Sequence, residues 1–139
     1  IMRSAFAEAC LRQAAPHLSC ASAGVAAFDD NRAEPNARRL AQRFGLSLES
    51  HRAQRLRAHH VEAATHIYLM DSLNKELLLR DFPHAAAKAH YLGALLPDGP
   101  REIEDPYLQS DRGLELCFTR IQKAVAELLR QLRHSTASR

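Results

Sequence analysis

Three short apolar segments alternate along this chain with four helical patterns, and this alternation constrains the fold more than any other feature. The strand-like segments span 18–24, 65–70 and 89–92, and the helical patterns span 3–15, 34–45, 71–80 and 114–132. Such alternation predicts an α/β protein in which helices cover both faces of a doubly wound parallel sheet. A chain of 139 residues is long enough for one core, so we expect a single domain over 1–139.

The helix ends carry local signals. Ser4 is a predicted N-cap for the first helix, and Pro35 suits the first turn of the second. Gly45 is a predicted C-cap. Asp71 is predicted to begin the third helix, whose inward-facing residues are predicted to be Leu73, Leu77 and Leu78. The polar tail from His134 is predicted to fray.

Charge and apolar patterning argue against nucleic acid as a partner and against a membrane span. The formal net charge is +3 and the pI is about 9.0, with arginines crowded in the stretch 38–57. Glu49 interrupts that stretch, Glu34 and Glu62 flank it, and Phe44 is the one Phe, Tyr or Trp among its arginines, which argues against nucleic acid as a partner. The sequence has no run of about 18 apolar residues, so no membrane span is predicted.

The cysteines are odd in number and widely spaced. Cys10, Cys20 and Cys117 are predicted to be reduced, buried thiols of a cytoplasmic protein, because their spacing is not that of a disulfide framework. No zinc-binding spacing of cysteines and histidines occurs, so no metal or other cofactor is expected.

Two separated motifs suggest phosphate chemistry. Arg3 and Ser4 stand at the head of the first predicted helix. A guanidinium fork at a helix N-terminus can bind two oxygens of a phosphoryl group. Asp105 precedes Pro106 and Tyr107, just before the final helix, and Pro106 restricts its backbone. A carboxylic acid at that position could donate a proton to a leaving group.

An ordered set of motifs resembles the low-molecular-weight protein-tyrosine phosphatase family. The motifs are Arg3-Ser4, Ser22-Ala23-Gly24, His51-Arg52-Ala53-Gln54, Met70-Asp71-x-x-Asn74 and Asp105-Pro106-Tyr107. The resemblance implies four parallel strands and a C-x5-R-S phosphate loop after the first. The chain starts inside that loop. We therefore expect the sequence to be truncated, with the first strand and the nucleophilic cysteine upstream of Ile1.

The resemblance also implies roles for individual residues. Arg3 would hold the transferred phosphoryl group and Asp105 would be the general acid. The substrate-binding residues implied are Ile1, Met2, Ser4, Phe28 and Tyr107. Ile1 favours an aryl substrate, because the arginine phosphatases of the family carry Thr there. Met2 stands where many members have a second cysteine that protects the nucleophile from oxidation.

The function implied is hydrolysis of phosphotyrosine in a protein substrate through a cysteinyl-phosphate intermediate. A bacterial tyrosine kinase of polysaccharide export is one such substrate by analogy. A thiol-linked arsenate reductase shares the fold and loop, although residues 21–116 contain no cysteine for its redox steps. A non-catalytic phosphoanion-binding module is a further possibility, and a basic nucleic-acid-binding protein is a more distant one.

Overall fold

The computed structural model describes residues 2–25, 27–106 and 110–137 as an α/β arrangement. The α-helices are α1 (Arg3–Ala14), α2 (Pro35–Ala41), α3 (Ala58–Ala63), α4 (Ser72–Asp81) and α5 (Asp111–Ala137). The strands are β1 (Ile67–Leu69) and β2 (Ala89–Tyr91). Short 3-10 helices span Gln42–Phe44, Pro83–Lys88 and Leu92–Leu95.

The two strands pair in parallel, with Tyr68 opposite His90. The connection between them runs through α4 and the following 3-10 helix. Successive side chains of β1 face opposite sides of the sheet. Tyr68 packs on the larger apolar cluster, whereas Leu69 belongs to the smaller one. The larger cluster contains residues of α1, α2 and α5, and the smaller one residues of α3 and α4. Helices therefore cover both faces of the sheet.

An aromatic contact joins the helices of the larger cluster. Phe6 of α1 stacks on Phe118 of α5, with ring centroids 3.9 Å apart and planes 5° apart. Phe44, which follows α2, meets the Phe6 ring edge-on at 5.3 Å. Both Phe6 and Phe118 are fully buried. This contact fixes α1, and with it the residues at the N-terminus of α1, against α5.

Several predicted helix signals are confirmed. Pro35 occupies the first turn of α2, and Gly45 adopts a left-handed conformation with φ of 75° after the 3-10 turn. The Asp71 side chain caps α4 by accepting from the backbone N–H of Asn74. The buried residues of α5 recur at the predicted helical spacing, and they include Leu114, Phe118, Ile121, Val125 and Leu128.

Other predictions from the sequence are wrong. The segment 18–24 is not a strand in the described structure: its one bridge joins Gly24 to Arg55 in parallel, because no further extended backbone lies beside it there. Ser4 is not an N-cap, since α1 begins at Arg3 and Met2 occupies the cap position without a side-chain bond. His134 lies within α5, so the tail stays helical to Ala137. Helix α3 is not predicted by the sequence pattern.

Two burial predictions also fail. Cys20 is only partly buried, whereas Cys10 and Cys117 are buried as predicted. Leu73, predicted to face inward on α4, is 59% exposed, because Leu78 supplies the buried contact of this ten-residue helix.

Candidate active site

Arg3 lies at the first residue of α1, and its guanidinium is held by two groups from distant parts of the chain. Nη1 lies 2.7 Å from Oδ2 of Asp71 and donates at 2.6 Å to the carbonyl oxygen of Ile103. The side chains of Arg3 and Asp71 are 13% and 18% exposed, respectively. Both contacts use Nη1, and between the residues that the structure describes no hydrogen bond of Nη2 or Nε is seen, so that edge of the fork can face an anion.

Asp71 lies directly after β1, at the carboxyl end of the strand. One carboxylate oxygen receives Arg3, and the other accepts the backbone N–H of Asn74 at 2.8 Å. The Asn74 side-chain oxygen in turn accepts the backbone N–H of Met70 at 3.2 Å. This reciprocal pair of bonds fixes the turn from β1 into α4, so the carboxylate that holds Arg3 is itself held rigidly.

The loop that carries Asp105 is attached to the same place. The backbone N–H of Ile103 donates to the carbonyl of Met70 at 2.7 Å, and the Ile103 side chain is 2% exposed. Asp105 follows two residues later with an exposed side chain, and Pro106 is buried. The carbonyl of Ile103 therefore links the Arg3 fork to the backbone of the Asp105 loop.

Arg3 and Asp105 lie on the same side of the molecule, and both affect the pKa of the Cys117 thiol. Burial raises the pKa of Cys117 to about 12, with the nearby Arg3 charge lowering it and the nearby Asp105 charge raising it. Asp105 also follows two residues after Ile103, whose carbonyl accepts from Arg3 at 2.6 Å. The structure therefore brings together the two residues that the sequence predicts to be catalytic.

None of the three thiols in the sequence has the environment of a nucleophile. Burial raises the pKa of Cys10 to about 12, as it does for Cys117. The pKa of Cys20 is also raised, mainly by burial, against a lowering by Arg12. A nucleophilic cysteine needs a lowered pKa, which the N-terminus of a helix or a neighbouring cation supplies.

The residues around the start of α1 occupy different environments. Met2 is 8% exposed and belongs to the larger core cluster, and Ser4 is half-buried in the first turn. Their predicted parts in substrate binding stay predictions. Ile1 and Tyr107, also predicted to bind substrate, lie outside the described residues.

A brace of polar residues joins α1 to the segment 18–24. The Ser22 hydroxyl donates to Glu8 of α1, and the Gln54 side chain donates to the Ser22 carbonyl at 2.8 Å. The ring of His60 accepts the Arg57 N–H at Nδ1, so its Nε2 carries the proton that bonds the Gln54 oxygen at 3.1 Å. Glu8, Ser22 and Gln54 line one side of an open groove of about 510 Å³ beside α1.

Phe28 stands on the loop after this brace, with 76% of its side chain exposed. Its neighbour Asp29 accepts from the backbone N–H of Arg55 at 2.9 Å and forms an ion pair with the Arg57 guanidinium. The arginine holds the pKa of Asp29 down at about 2. Asp30 adopts a positive φ of 68°, which turns the loop back.

Two features of the site escape prediction from the sequence. The resemblance gives the Met70-Asp71-x-x-Asn74 motif the role of bracing the phosphate loop by hydrogen bonds, but the contact of Asp71 with Arg3 itself is not encoded near either residue. The carbonyl of Ile103 is a backbone acceptor, which leaves no trace in residue type. The one available signal is position, since the carboxyl ends of parallel strands gather at a common edge.

A metal-binding cluster and a membrane-spanning helix are both absent from the part of the chain that the structure describes. There, no three histidine, cysteine, aspartate or glutamate side chains are grouped so that they could hold a metal ion. Among the same residues, no helix is both long and apolar enough to cross a membrane.

Comparison with known proteins identifies the class. The family described as low molecular weight phosphotyrosine protein phosphatase matches residues 1–138. The chain is 32% identical over 125 residues to a probable low molecular weight protein-tyrosine-phosphatase, EpsP, of Ralstonia nicotianae, covering 90% of this chain and 84% of the relative. It is 31% identical over 127 residues to the phosphatase Wzb of Salmonella typhi, covering 91% and 84%.

Solved structures agree. The crystal structure of the Erwinia amylovora tyrosine phosphatase AmsI superposes with a TM-score of 0.88 at 29% identity, over 94% of this chain and 85% of that one. The YwlE arginine phosphatase of Geobacillus stearothermophilus gives a TM-score of 0.89 at 25% identity, over 98% and 88%. The chain belongs to the low-molecular-weight protein-tyrosine phosphatase family, a family of phosphoric monoester hydrolases.

Proposed function

We propose that this phosphatase hydrolyses phosphotyrosine in protein substrates through a cysteinyl-phosphate intermediate. The observation that carries the proposal is the fixed Arg3 fork at the N-terminus of α1, joined through the Ile103 carbonyl to the loop of Asp105. That arrangement offers an anion site and a carboxyl group on one side of the molecule. The chemistry that needs both is cleavage of a phosphate ester.

In the first step, a cysteine thiolate attacks phosphorus and the bond from phosphorus to the tyrosine oxygen breaks. Asp105 gives its proton to the departing oxygen. In the second step, water attacks phosphorus, the phosphorus–sulfur bond breaks, and Asp105 takes up the proton that water releases. Throughout, Arg3 and the N-terminus of α1 stabilise the charge on the equatorial oxygens.

The nucleophile in this proposal is the cysteine that the family motif places upstream of Ile1. The raised pKa values of Cys10, Cys20 and Cys117 support this assignment, because none of these thiols would ionise readily near neutral pH. The same proposal includes a four-stranded, doubly wound sheet. Its first strand, upstream of Ile1, leads into the phosphate loop and supplies the neighbouring backbone that segment 18–24 lacks in the described structure. The domain then comprises that strand together with residues 1–139.

Substrate binding is assigned to the residues around the phosphate loop and to two aromatic residues. We propose that Ile1, Met2 and Ser4 contribute to the loop and that Phe28 and Tyr107 contact the tyrosine ring. The exposed side chain of Phe28 supports its part. A bacterial tyrosine kinase of polysaccharide export is the proposed physiological substrate, by analogy with the family, and the phosphatase itself is proposed to be cytoplasmic.

The test uses the full-length protein with p-nitrophenyl phosphate and a phosphotyrosine peptide. Asp105→Asn is expected to lower kcat by about 10²–10⁴-fold on the peptide. Arg3→Lys, which removes the fork, is expected to lower kcat/KM by about 10²–10³-fold. Asp98→Asn is the matched control, since Asp98 is a carboxylate of the same loop. Wild-type turnover by Asp105→Asn would refute the assignment of the acid.

Trapping separates the proposed mechanism from a binding module and from a reductase. Rapid acid quench followed by intact mass measurement should show one added phosphoryl group, which peptide mapping should place on a cysteine upstream of Ile1. Phosphate binding without hydrolysis would favour a phosphoanion-binding module, and arsenate-dependent thiol consumption would favour a reductase. The likeness to an arginine phosphatase makes phosphoarginine the necessary competing substrate; faster hydrolysis of phosphoarginine would overturn the proposed specificity.

A further inference from the structure

One exposed surface adjoins the groove beside α1, which Arg52 lines together with Ala5, and the charged residues of this surface take no part in the mechanism above. We name it the Phe28 surface and define it by Phe28, Asp29, Arg52, Arg55 and Arg57. Phe28 is 76% exposed, more than any of the other large apolar side chains that the structure describes as exposed, the next being Leu73 at 59%. A large, isolated aromatic side chain on the surface is a frequent anchor for a bound partner.

The backbone of this surface is firmly held. The N–H of Asp30 donates to the carbonyl of Ala53 at 2.8 Å, and the N–H of Ala53 donates to Asn31 at 2.7 Å. Gly24 exchanges bonds of 2.9 and 3.0 Å with Gln54 and Leu56. The Phe28 loop and the segment 52–57 are therefore fixed side by side, so Phe28 and the arginines form one preorganised surface.

The charges of this region are unevenly neutralised. The segment 28–57 contains seven arginines and four carboxylates, and this surplus of three positive charges equals the net charge of the whole chain. Asp29 neutralises Arg57, and Glu49 is shared by Arg32 and Arg38. Two of the four carboxylates in the segment are therefore already paired with these three arginines.

Two exposed arginines of the surface keep their charge. In the described structure, Arg52 donates to the backbone carbonyls of Glu49 and His51, which do not neutralise it. Arg55 uses its backbone N–H on Asp29, and among the described residues its side chain forms no ion pair. Asp30, in the same loop as Phe28, offsets one of these two charges, so the surface retains a net positive charge next to Phe28.

We propose that the Phe28 surface selects substrates whose phosphotyrosine is flanked by acidic residues. The inference rests on the proposed function, because the peptide must place its phosphotyrosine at Arg3. Phe28 contacts the peptide through its ring, and Arg52 and Arg55 attract the flanking carboxylates. An extended peptide fits better than a nucleic acid, because a single aromatic residue offers no series of stacking platforms for bases.

The experiment compares two phosphotyrosine peptides that differ only in their flanks, with Asp and Glu in one and Asn and Gln in the other. Exposed ion pairs change an equilibrium by about 1.5–5-fold each. We therefore expect the acidic peptide to have a kcat/KM about 3–10-fold above that of the neutral peptide at low salt, with the ratio falling towards one in about 0.5 M salt.

The variants Arg55→Gln and Arg55→Glu should lower this ratio in that order, and Arg55→Glu should bring it to one or below. Arg133→Gln is the matched control, since it removes an exposed arginine near the far end of α5 and should leave the ratio unchanged. Equal kcat/KM values for the two peptides in the wild-type protein would overturn the inference, as would an unchanged ratio in Arg55→Glu.

A failure of the substrate selection by the Phe28 surface can be distinguished from a failure of the proposed function. If p-nitrophenyl phosphate is not hydrolysed, the proposed function fails, and fluorescence anisotropy of the two labelled peptides still decides the inference. Tighter binding of the acidic peptide, weakened by Arg55→Glu, supports it, and equal binding overturns it. Competition by a random DNA duplex as effective as that by the acidic peptide would also overturn it, because the surface would then bind polyanions in general.

Discussion

Replacing Asp71 by Asn tests whether this carboxylate is what holds Arg3 in place. The two oxygens of Asp71 have separate tasks, one receiving Arg3 at 2.7 Å and the other capping α4 through Asn74. Asn is as good an N-cap as Asp, so Asp71→Asn should preserve the cap, remove the charge opposite Arg3 and replace the oxygen that accepts from Arg3 by an amide NH2. Asp71→Ala should also remove the cap.

The magnitudes follow from the burial of the pair. Both side chains are less than a fifth exposed, so solvent screens the contact little. A hydrogen bond to a charged group contributes about 1.5–3 kcal/mol, and we expect Asp71→Asn to lower the free energy of unfolding by that amount. Loss of the cap adds about 0.5–2 kcal/mol in Asp71→Ala. Each kcal/mol corresponds to roughly 2–4 °C in Tm for a domain near this size.

The assay is urea denaturation of the full-length protein, read as the midpoint at a constant m-value. Asp81→Asn is the control: its ion pair with Arg80 spans 3.5 Å, and the two side chains are 53% and 68% exposed. We expect that control to change the free energy of unfolding by less than about 0.5 kcal/mol. A shift in Asp71→Asn no larger than in Asp81→Asn would refute the reasoning.

A double-mutant cycle with Arg3→Gln isolates the pair itself. If the carboxylate stabilises the fold through Arg3, the two substitutions should couple by at least about 1 kcal/mol, whereas independent effects add to within about 0.5 kcal/mol. In turnover, Asp71→Asn should raise KM for phosphate esters and lower kcat, and Asp71→Glu should recover part of the loss. Additive stabilities in the cycle would mean that Asp71 acts only as a cap.

Three further predictions concern the core, the thiols and pH. Phe6→Ala should lower the free energy of unfolding by about 3–5 kcal/mol in urea melts, since it empties the fully buried centre of the aromatic contact between α1 and α5. Because burial raises the pKa of Cys10 and Cys117 to about 12, a thiol reagent at pH 8 should label Cys20 before Cys10 and Cys117 in the native protein; equal rates for these three would contradict this. The pKa of Asp29 is about 2 in the folded state, below its value of about 4 in an unfolded chain, so its contribution to stability is present above pH 4 and is lost as the pH falls towards 2. The difference in urea midpoint between the wild type and Asp29→Asn should shrink over that range.

Much of the fold could be predicted from local pattern. The α4 cap at Asp71, the left-handed Gly45 and the apolar stripe of α5 are each encoded within a few residues, and each is confirmed. The segment 18–24 is misassigned because a strand requires a neighbouring backbone, which the residues of the segment do not encode. Helix α3 is missed because its six residues carry little helical pattern; it depends on buried Val61 and on the His60 ring that bonds the Arg57 N–H.

The candidate site divides in the same way. The motifs predict Arg3 and Asp105 as site residues, and the structure brings their segments together, while their catalytic roles stay predictions. Residue type cannot show what holds Arg3, because one partner lies 68 residues away and the other is the backbone carbonyl of Ile103, 100 residues away. Such contacts depend on the parallel register that brings the ends of β1 and the Asp105 loop together.

The hydrogen bond from Arg3 to the Ile103 carbonyl couples the anion site to the Asp105 loop. Arg3 donates to that carbonyl, and the Ile103 N–H donates to Met70 at the end of β1, so both polar groups of one buried peptide residue are engaged. If Arg3 turns fully towards a phosphoryl group, the carbonyl loses its donor and the Asp105 loop loses one of its attachments. If Arg3 instead binds the anion through Nη2 and Nε while Nη1 stays in place, the loop remains fixed. The second arrangement costs no buried hydrogen bond, and it keeps the anion site and the acid at a constant separation through both chemical steps.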